Sequence, residues 1–198
     1  MSAMRNGTDG LTGLRVAFLM APEGVEEVEL TEPWRAVRDA GGEPVLISTE
    51  RGRVQAFRHL DRAGTYPVDA LVAGSTAEDY DALVLPGGVA NPDALRTDEQ
   101  AVAFVRHFFG LGRPVAAICH APWTLVEADV VRGRTLTSWP SLRTDIRNAG
   151  GRWEDQPSVV CHAAPGALIT SRKPADLEAF CEAFLHEFEA QRPGRLAA

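Results

Sequence analysis

The stretch that decides the fold is a short apolar run ending in a cysteine and a histidine, Val115-Ala116-Ala117-Ile118-Cys119-His120. The helix breaker Gly112-Arg113-Pro114 precedes the run, so its four apolar residues suit a short buried strand. Residues 121–128 are predicted to form a helix, which places the cysteine where a strand meets a helix. Small residues two positions before and after it allow the sharp turn of a nucleophile elbow.

Other short apolar runs alternate with segments of helical spacing on both sides of this junction. The predicted strands lie at 15–20, 44–48, 82–85 and 135–138, and a hairpin joins 159–162 to 167–170. The predicted helices lie at 26–40, 98–111, 141–148 and 174–189, while residues 51–80 are expected to hold a short hairpin and a loop-rich connection. This alternation predicts parallel βαβ units. We therefore expect an α/β fold, a single-domain flavodoxin-like sandwich with a mostly parallel central sheet and helices on both faces.

The chain is predicted to be one domain with short ends. Residues 1–13 are expected to form a flexible arm, 14–189 the α/β domain and 190–198 a polar tail. No apolar run approaches the roughly 20 residues of a membrane span, and the first segment lacks the apolar core of a signal peptide. A cytoplasmic protein with no membrane partner is the expectation.

Charge and cysteine content exclude several classes of protein. The 198 residues carry a net charge of −7, and their basic residues are scattered rather than clustered. This argues against a nucleic-acid partner, which requires clustered Lys and Arg. The three cysteines show no CxxC spacing, which argues against a disulfide framework and a structural zinc site.

The position of Cys119 favours chemistry over packing. A helix N-terminus stabilises a thiolate, so we expect the pKa of Cys119 to lie below the free value of roughly 8.5. The alternative is a buried cysteine that packs as a small hydrophobic residue. Cys161 is followed by a turn rather than a helix, and Cys181 lies within a helix beside Phe180, so both are expected to be structural.

Two further loops should meet Cys119 at the carboxyl edge of a parallel sheet. Gly87 and Gly88 follow a strand, and their backbone N–H groups could form an oxyanion hole with the amide of His120. Glu26 belongs to an acid-rich stretch; placed beside the thiol, its carboxyl would have a raised pKa and could move protons. Glu23 is the alternative.

Five segments in this order resemble the ThiJ/PfpI family, in its PfpI subgroup, within the class I glutamine amidotransferase-like superfamily. The resemblance covers residues 14–188 and rests on Glu26-Glu27-Val28-Glu29-Leu30, Asp81-Ala82-Leu83-Val84-Leu85-Pro86-Gly87-Gly88, Ala117-Ile118-Cys119-His120, Thr137-Ser138-Trp139-Pro140 and Ser171-Arg172-Lys173-Pro174-Ala175-Asp176-Leu177.

The resemblance implies a role for each matching residue. Cys119 matches the nucleophile, and Glu26 the carboxylic acid that hydrogen-bonds its sulfur. His120 matches an imidazole that pairs with an acid of a neighbouring subunit, and Asp93 aligns with that acid. Gly88 and the amide of His120 match the oxyanion donors. The resemblance thus implies a homodimer or larger homo-oligomer, with no cofactor and no metal.

The implied activity leaves several functions open. A cysteine hydrolase or lyase would act on methylglyoxal or its adducts, as a glyoxalase or deglycase does. The same residues could serve an intracellular peptidase, or Cys119 could be a non-enzymatic redox or stress sensor. A glutamine amidotransferase is disfavoured, because neither His162 nor His186 has a carboxylate two residues further on.

Overall fold

The structure, a computed structural model, describes residues 10–190. Its twelve strands are β1 (Arg15–Met20), β2 (Glu23–Glu26), β3 (Glu43–Ser48), β4 (Arg53–Arg58), β5 (Asp61–Pro67), β6 (Ala70–Leu71), β7 (Ala82–Leu85), β8 (Val115–Ile118), β9 (Thr135–Leu136), β10 (Arg152–Trp153), β11 (Ser158–Cys161) and β12 (Leu168–Ser171). Its six α-helices are α1 (Glu27–Asp39), α2 (Ala90–Leu95), α3 (Glu99–Gly110), α4 (Pro122–Glu127), α5 (Arg143–Asn148) and α6 (Leu177–Ala190).

The central sheet has seven strands in the order β11-β12-β8-β7-β1-β3-β6. All neighbours are parallel except β11, which pairs antiparallel with β12. Two small sheets accompany it: β2 with the hairpin of β4 and β5, and β9 with β10. The expected mostly parallel flavodoxin-like sheet is confirmed.

The helices cover both faces of the sheet. Along β1, Val16, Phe18 and Met20 enter one hydrophobic core, while Ala17 and Leu19 enter the other. The first core is covered by α1 and α6, and the second by α3, α4 and α5. A strand buried on both faces reads as a continuous apolar run, which explains why β1, β7 and β8 were visible in the sequence.

The ends of β1, β7 and β8 bring three connections to one edge of the sheet. Because these strands are parallel and adjacent, the segments after Met20, Leu85 and Ile118 converge there. This is the edge at which open α/β sheets bind ligands.

The chain differs from the sequence-based expectation at its first boundary and in two short elements. Within the arm predicted for 1–13, Leu11 is buried and donates its N–H to Ala40 O at 2.9 Å, so residues 10–13 belong to the domain. Residues 1–9 of the predicted arm (1–13) and residues 191–198 of the predicted tail (190–198) lie outside the described residues. The four-residue β2 and the six-residue α2 are too short to show a period. Over residues 10–190, none of the helices combines the length and the apolar content that spanning a bilayer requires.

Candidate active site

Cys119 lies at the tip of the turn between β8 and α4. Its backbone is in the left-handed region, with φ of 63°, a conformation that costs a non-glycine residue roughly 1–2 kcal/mol. Two backbone hydrogen bonds hold it there: its N–H donates to Ser171 O at 3.0 Å, and its carbonyl accepts from Trp139 N at 2.8 Å. The predicted nucleophile elbow is therefore present in the structure.

The carboxyl group beside this thiol belongs to Glu29. Glu29 lies in the first turn of α1 with no exposed surface, and its carboxyl lies beside the Cys119 thiol, which helps to lower its pKa. Its Oε2 accepts the Gly87 N–H at 3.0 Å. A Cβ on Gly87 would stand 2.4 Å from that oxygen and 2.6 Å from the Cys119 Cβ, so this position must be glycine for the two groups to meet.

The prediction that Glu26 is the acid bonded to the sulfur is wrong. Glu26 closes β2 before the helix begins, and its Oε2 accepts the backbone N–H of His59 at 3.0 Å. The alternative, Glu23, forms an exposed ion pair with Arg62 at 3.8 Å. Both line the cavity above Cys119, but β2 keeps their carboxylates at its wall.

His120 brings an imidazole to the sulfur. Its Nδ1 lies 3.1 Å from Cys119 Sγ, and both residues are buried. Burial lowers the pKa of His120 to about 4, so its imidazole is neutral at neutral pH and can accept the thiol proton. The geometry is that of a nucleophile with an adjacent base.

Burial also sets the protonation of the other two groups. Burial raises the pKa of Glu29 to about 8, and hydrogen bonds from Cys119 and Gly87 oppose it only in part. Burial, and then the charge of Glu29 when ionised, raise the pKa of the Cys119 thiol. The lowered thiol pKa expected from the helix N-terminus is not found, because desolvation outweighs the dipole of the six-residue α4. At neutral pH the site holds a thiol, a neutral imidazole and a carboxylic acid.

The predicted oxyanion donors separate into two groups. The backbone N–H groups of Gly88 and His120 lower the pKa of the Cys119 thiol and so favour its anion. The N–H of Gly87 is taken by Glu29 and is not available to an oxyanion. Gly88 has φ of 81°, and a Cβ there would lie 2.1 Å from Gly24 O, so only glycine can hold this amide in place.

These groups open into a cavity of about 620 Å³. The tip of the β4–β5 hairpin forms one wall with Phe57 and His59, and Trp139 lines it beside Cys119 and His120. Asp93 also lines it, from α2, but no hydrogen bond joins Asp93 to His120 within the single chain over 10–190. No cluster of three or more His, Cys, Asp or Glu in this range could hold a metal ion.

Sequence reasoning missed Glu29 and the hairpin wall. Glu29, Pro33 and Val37 are buried at i, i+4 and i+8 of α1, and this stripe was the signal that separates Glu29 from its acidic neighbours. Nothing in the sequence indicated that His59 reaches the site, because the hairpin is placed by long-range contacts. Glu27 makes those contacts, accepting from Arg58 Nε at 2.7 Å, Gly64 N at 2.8 Å and the Tyr66 hydroxyl at 3.0 Å.

Comparison with known proteins identifies the family to which this arrangement belongs. The family model for the DJ-1/PfpI family matches residues 14–187. The chain belongs to the DJ-1/PfpI family. This confirms the resemblance inferred from the five sequence segments.

Named members of the DJ-1/PfpI family align along most of this chain. A deglycase of Pyrococcus horikoshii is 41% identical over 172 residues, covering 87% of this chain and 98% of the relative. Protein/nucleic acid deglycase 2 of Escherichia coli is 40% identical over 166 residues, covering 84% and 92%. General stress protein 18 of Bacillus subtilis is 39% identical over 155 residues, covering 78% and 87%.

Solved structures of DJ-1/PfpI proteins share the fold. A two-domain protein of Anabaena variabilis, with DJ-1/ThiJ/PfpI-like and ferritin-like domains, has a TM-score of 0.79 and 33% identity. That match covers 87% of this chain and 49% of the Anabaena protein, so the chain described here spans about half the length of that protein. A ThiJ/PfpI domain protein of Brachyspira murdochii, 19% identical with a TM-score of 0.79, shows the same fold.

Proposed function

We propose that this DJ-1/PfpI protein is a cysteine-dependent enzyme that acts on small reactive carbonyl compounds, methylglyoxal or its adducts, as a glyoxalase or deglycase does. The observation that carries the proposal is the contact between Cys119 Sγ and His120 Nδ1 at 3.1 Å, with the Glu29 carboxyl at the same sulfur. Relatives from Pyrococcus horikoshii and Escherichia coli named deglycases support it.

The first step is addition of the thiol to the aldehyde carbon of methylglyoxal. The Cys119 S–H bond breaks as His120 Nδ1 accepts the proton, and a new S–C bond forms. The former carbonyl oxygen gains the electron pair of the C=O π bond and becomes negatively charged. The backbone N–H groups of Gly88 and His120, which also favour the sulfur anion, would stabilise this charge. Return of the proton to that oxygen gives a hemithioacetal.

The second step moves hydrogen between the two substrate carbons. A base removes the proton from the hemithioacetal carbon, and a proton is delivered to the neighbouring carbon. The proton of the hemithioacetal hydroxyl passes to the second carbonyl oxygen, so that carbonyl becomes an alcohol and a thioester remains. Glu29 and His120 are the groups placed to carry this proton, and a carboxyl with a pKa of about 8 exchanges protons readily near neutral pH. Water then cleaves the thioester, releasing lactate and the free thiol, with no external oxidant or reductant.

Asp93 fits this proposal as a residue that acts across an interface. It lines the cavity without bonding His120 of its own chain, and Leu60, Val89 and Trp139 expose apolar surface around the same mouth. A homodimer or larger homo-oligomer that buries this surface would bring a second Asp93 to the site. The three cysteines are free, which suits action in the reducing cytoplasm.

The proposal is tested by turnover of methylglyoxal with purified wild type, Cys119→Ala and Cys161→Ala. The expected result is lactate formation by wild type and Cys161→Ala and none above background by Cys119→Ala. A peptide substrate is assayed in parallel. Cys119-dependent cleavage of the peptide alone would favour a peptidase, and no Cys119-dependent turnover of either would leave a redox or stress sensor.

A further inference from the structure

The imidazole of His120 is approached by two indole rings from different parts of the chain. The Trp139 ring is stacked on it, with ring centroids 5.6 Å apart and an interplanar angle of 23°. The Trp123 ring, on α4, lies 5.3 Å away and is tilted by 56°. Both distances are typical of favourable aromatic contacts. The two rings restrict rotation of the imidazole away from Cys119.

The two indoles differ in how they are held. Trp123 Nε1 donates to Asp145 Oδ2 at 2.9 Å, and the Arg96 guanidinium lies 5.7 Å from its ring. Trp139 is 38% exposed and lines the cavity, so its side chain can be changed without opening the core. Its backbone N–H donates to Cys119 O at 2.8 Å, a contact that any non-proline residue at this position retains.

We propose that Trp139 is a positioning residue whose indole ring holds the His120 imidazole against the Cys119 thiol and stabilises the imidazolium that forms when the thiol proton moves to Nδ1. In this step the S–H bond breaks and an N–H bond forms, giving a thiolate–imidazolium pair with no change of oxidation state. A cation within about 6 Å of an indole ring is stabilised by its electron-rich face.

The surroundings of His120 make this contribution important. Burial disfavours the imidazolium, so a group that stabilises its charge without adding a competing proton acceptor increases the population of the ion pair. The ionisable groups around the cavity are Glu23, Glu26, Glu29, His59, Asp93 and Cys119 itself, with Arg96 and Asp145 behind Trp123. A substitution at Trp139 removes none of these groups.

The direct test measures the rate at which iodoacetamide alkylates Cys119 at neutral pH, followed by peptide mass spectrometry. This readout depends on the thiolate–imidazolium pair and requires no turnover. Trp139→Leu should slow alkylation about tenfold, whereas Trp139→Phe, which keeps an aromatic ring, should stay within about threefold of wild type. The control Trp34→Phe, on α1, should match wild type. An equal slowing by leucine and phenylalanine, or no slowing by leucine, would overturn the proposal.

Turnover of methylglyoxal gives a second readout, and this part of the test rests on the proposed function. Trp139→Leu should lower kcat about tenfold with KM within about twofold, while a loss confined to KM would show a substrate-binding wall instead and contradict a positioning role. If wild type turns over no methylglyoxal but the alkylation pattern holds, the proposed function fails and the role of Trp139 stands. Circular dichroism checks folding, and Trp139→Met replaces the leucine variant if that variant is unfolded.

Discussion

Replacing Glu29 by glutamine should make the protein more stable at alkaline pH and leave it unchanged at acidic pH. The wild-type carboxyl has a pKa of about 8 in the folded chain, against 4.5 for an ordinary glutamic acid. Between these values the folded state keeps a proton that the unfolded state has released. Folding is therefore most favourable below pH 4.5 and weakens as pH rises towards 8. Glutamine has nearly the same shape, and its side-chain oxygen can accept the Gly87 N–H without titrating.

The size of the effect follows from the pKa shift. Each pH unit between the two pKa values lowers the free energy of unfolding of wild type by up to about 1.4 kcal/mol. Integrated between about pH 5 and about pH 8, the titration of Glu29 lowers the free energy of unfolding of wild type by about 3.5 kcal/mol. Cys119 is coupled to Glu29, but burial raises its pKa and the thiol stays protonated over this range. The difference between the two proteins therefore isolates the Glu29 carboxyl.

The assay is urea unfolding followed by tryptophan fluorescence at half-unit steps of pH. The two proteins should be equally stable below about pH 4, and Glu29→Gln should become progressively more stable as the pH rises from there towards 8. The matched control is Glu32→Gln, whose side chain is 41% exposed on the same helix. Its free energy of unfolding should follow that of wild type across the pH range. Parallel curves for wild type and Glu29→Gln, or a gap that opens in the opposite direction, would refute the raised pKa.

Three further predictions concern the frame of the site. Gly88→Ala should lower the free energy of unfolding, measured by thermal unfolding, by about 3 kcal/mol or more, because its Cβ would meet Gly24 O at 2.1 Å. The control Gly74→Ala, whose Cβ would have no atom within 4 Å, should leave the free energy of unfolding unchanged. Glu27→Ala should lower the free energy of unfolding by about 2 kcal/mol and speed amide hydrogen exchange in the β4–β5 hairpin, because it removes a carboxylate that accepts three hydrogen bonds from the hairpin. Unchanged exchange would contradict this. Cys181→Ala should keep methylglyoxal turnover within about twofold, since Cys181 is not in the cavity wall; a large loss would place it in the site.

The sheet and the elbow could be predicted because their sequence signals are local. Strands buried on both faces read as apolar runs, and the run ending in Cys119 carries the turn residues of an elbow. The antiparallel pairing of β11 with β12 was also visible, from Pro165-Gly166 between two short runs. The wall of the cavity could not be predicted in the same way, since β2 pairs with β4 across 26 intervening positions of chain that carry a helix and a strand.

The error at Glu26 arose from matching the acidic stretch to the family pattern, with a helix expected to begin at residue 26, without asking which helical face each acid occupies. A carboxylate in the first turn of a helix is favoured by the dipole whether it faces solvent or protein, so the acids at 26, 27 and 29 looked equivalent. The position of the helix start separates them. Because α1 begins at Glu27, Glu26 ends a strand, Glu27 faces the hairpin and Glu29 continues the buried stripe towards the thiol.

Because the acid beside the thiol is the buried Glu29, the Cys119 thiol must be activated in a different way from that expected at a helix N-terminus. A helix N-terminus alone would have given a preformed thiolate, but the sulfur is buried beside a carboxyl that is itself protonated at neutral pH. Two buried acids in contact lose their protons as a pair, and the first negative charge suppresses the second. A nucleophile in such a site has to be generated as substrate binds, by passing its proton to the neutral imidazole 3.1 Å away. The stack that holds that imidazole then controls the reaction as directly as the pKa of the sulfur does.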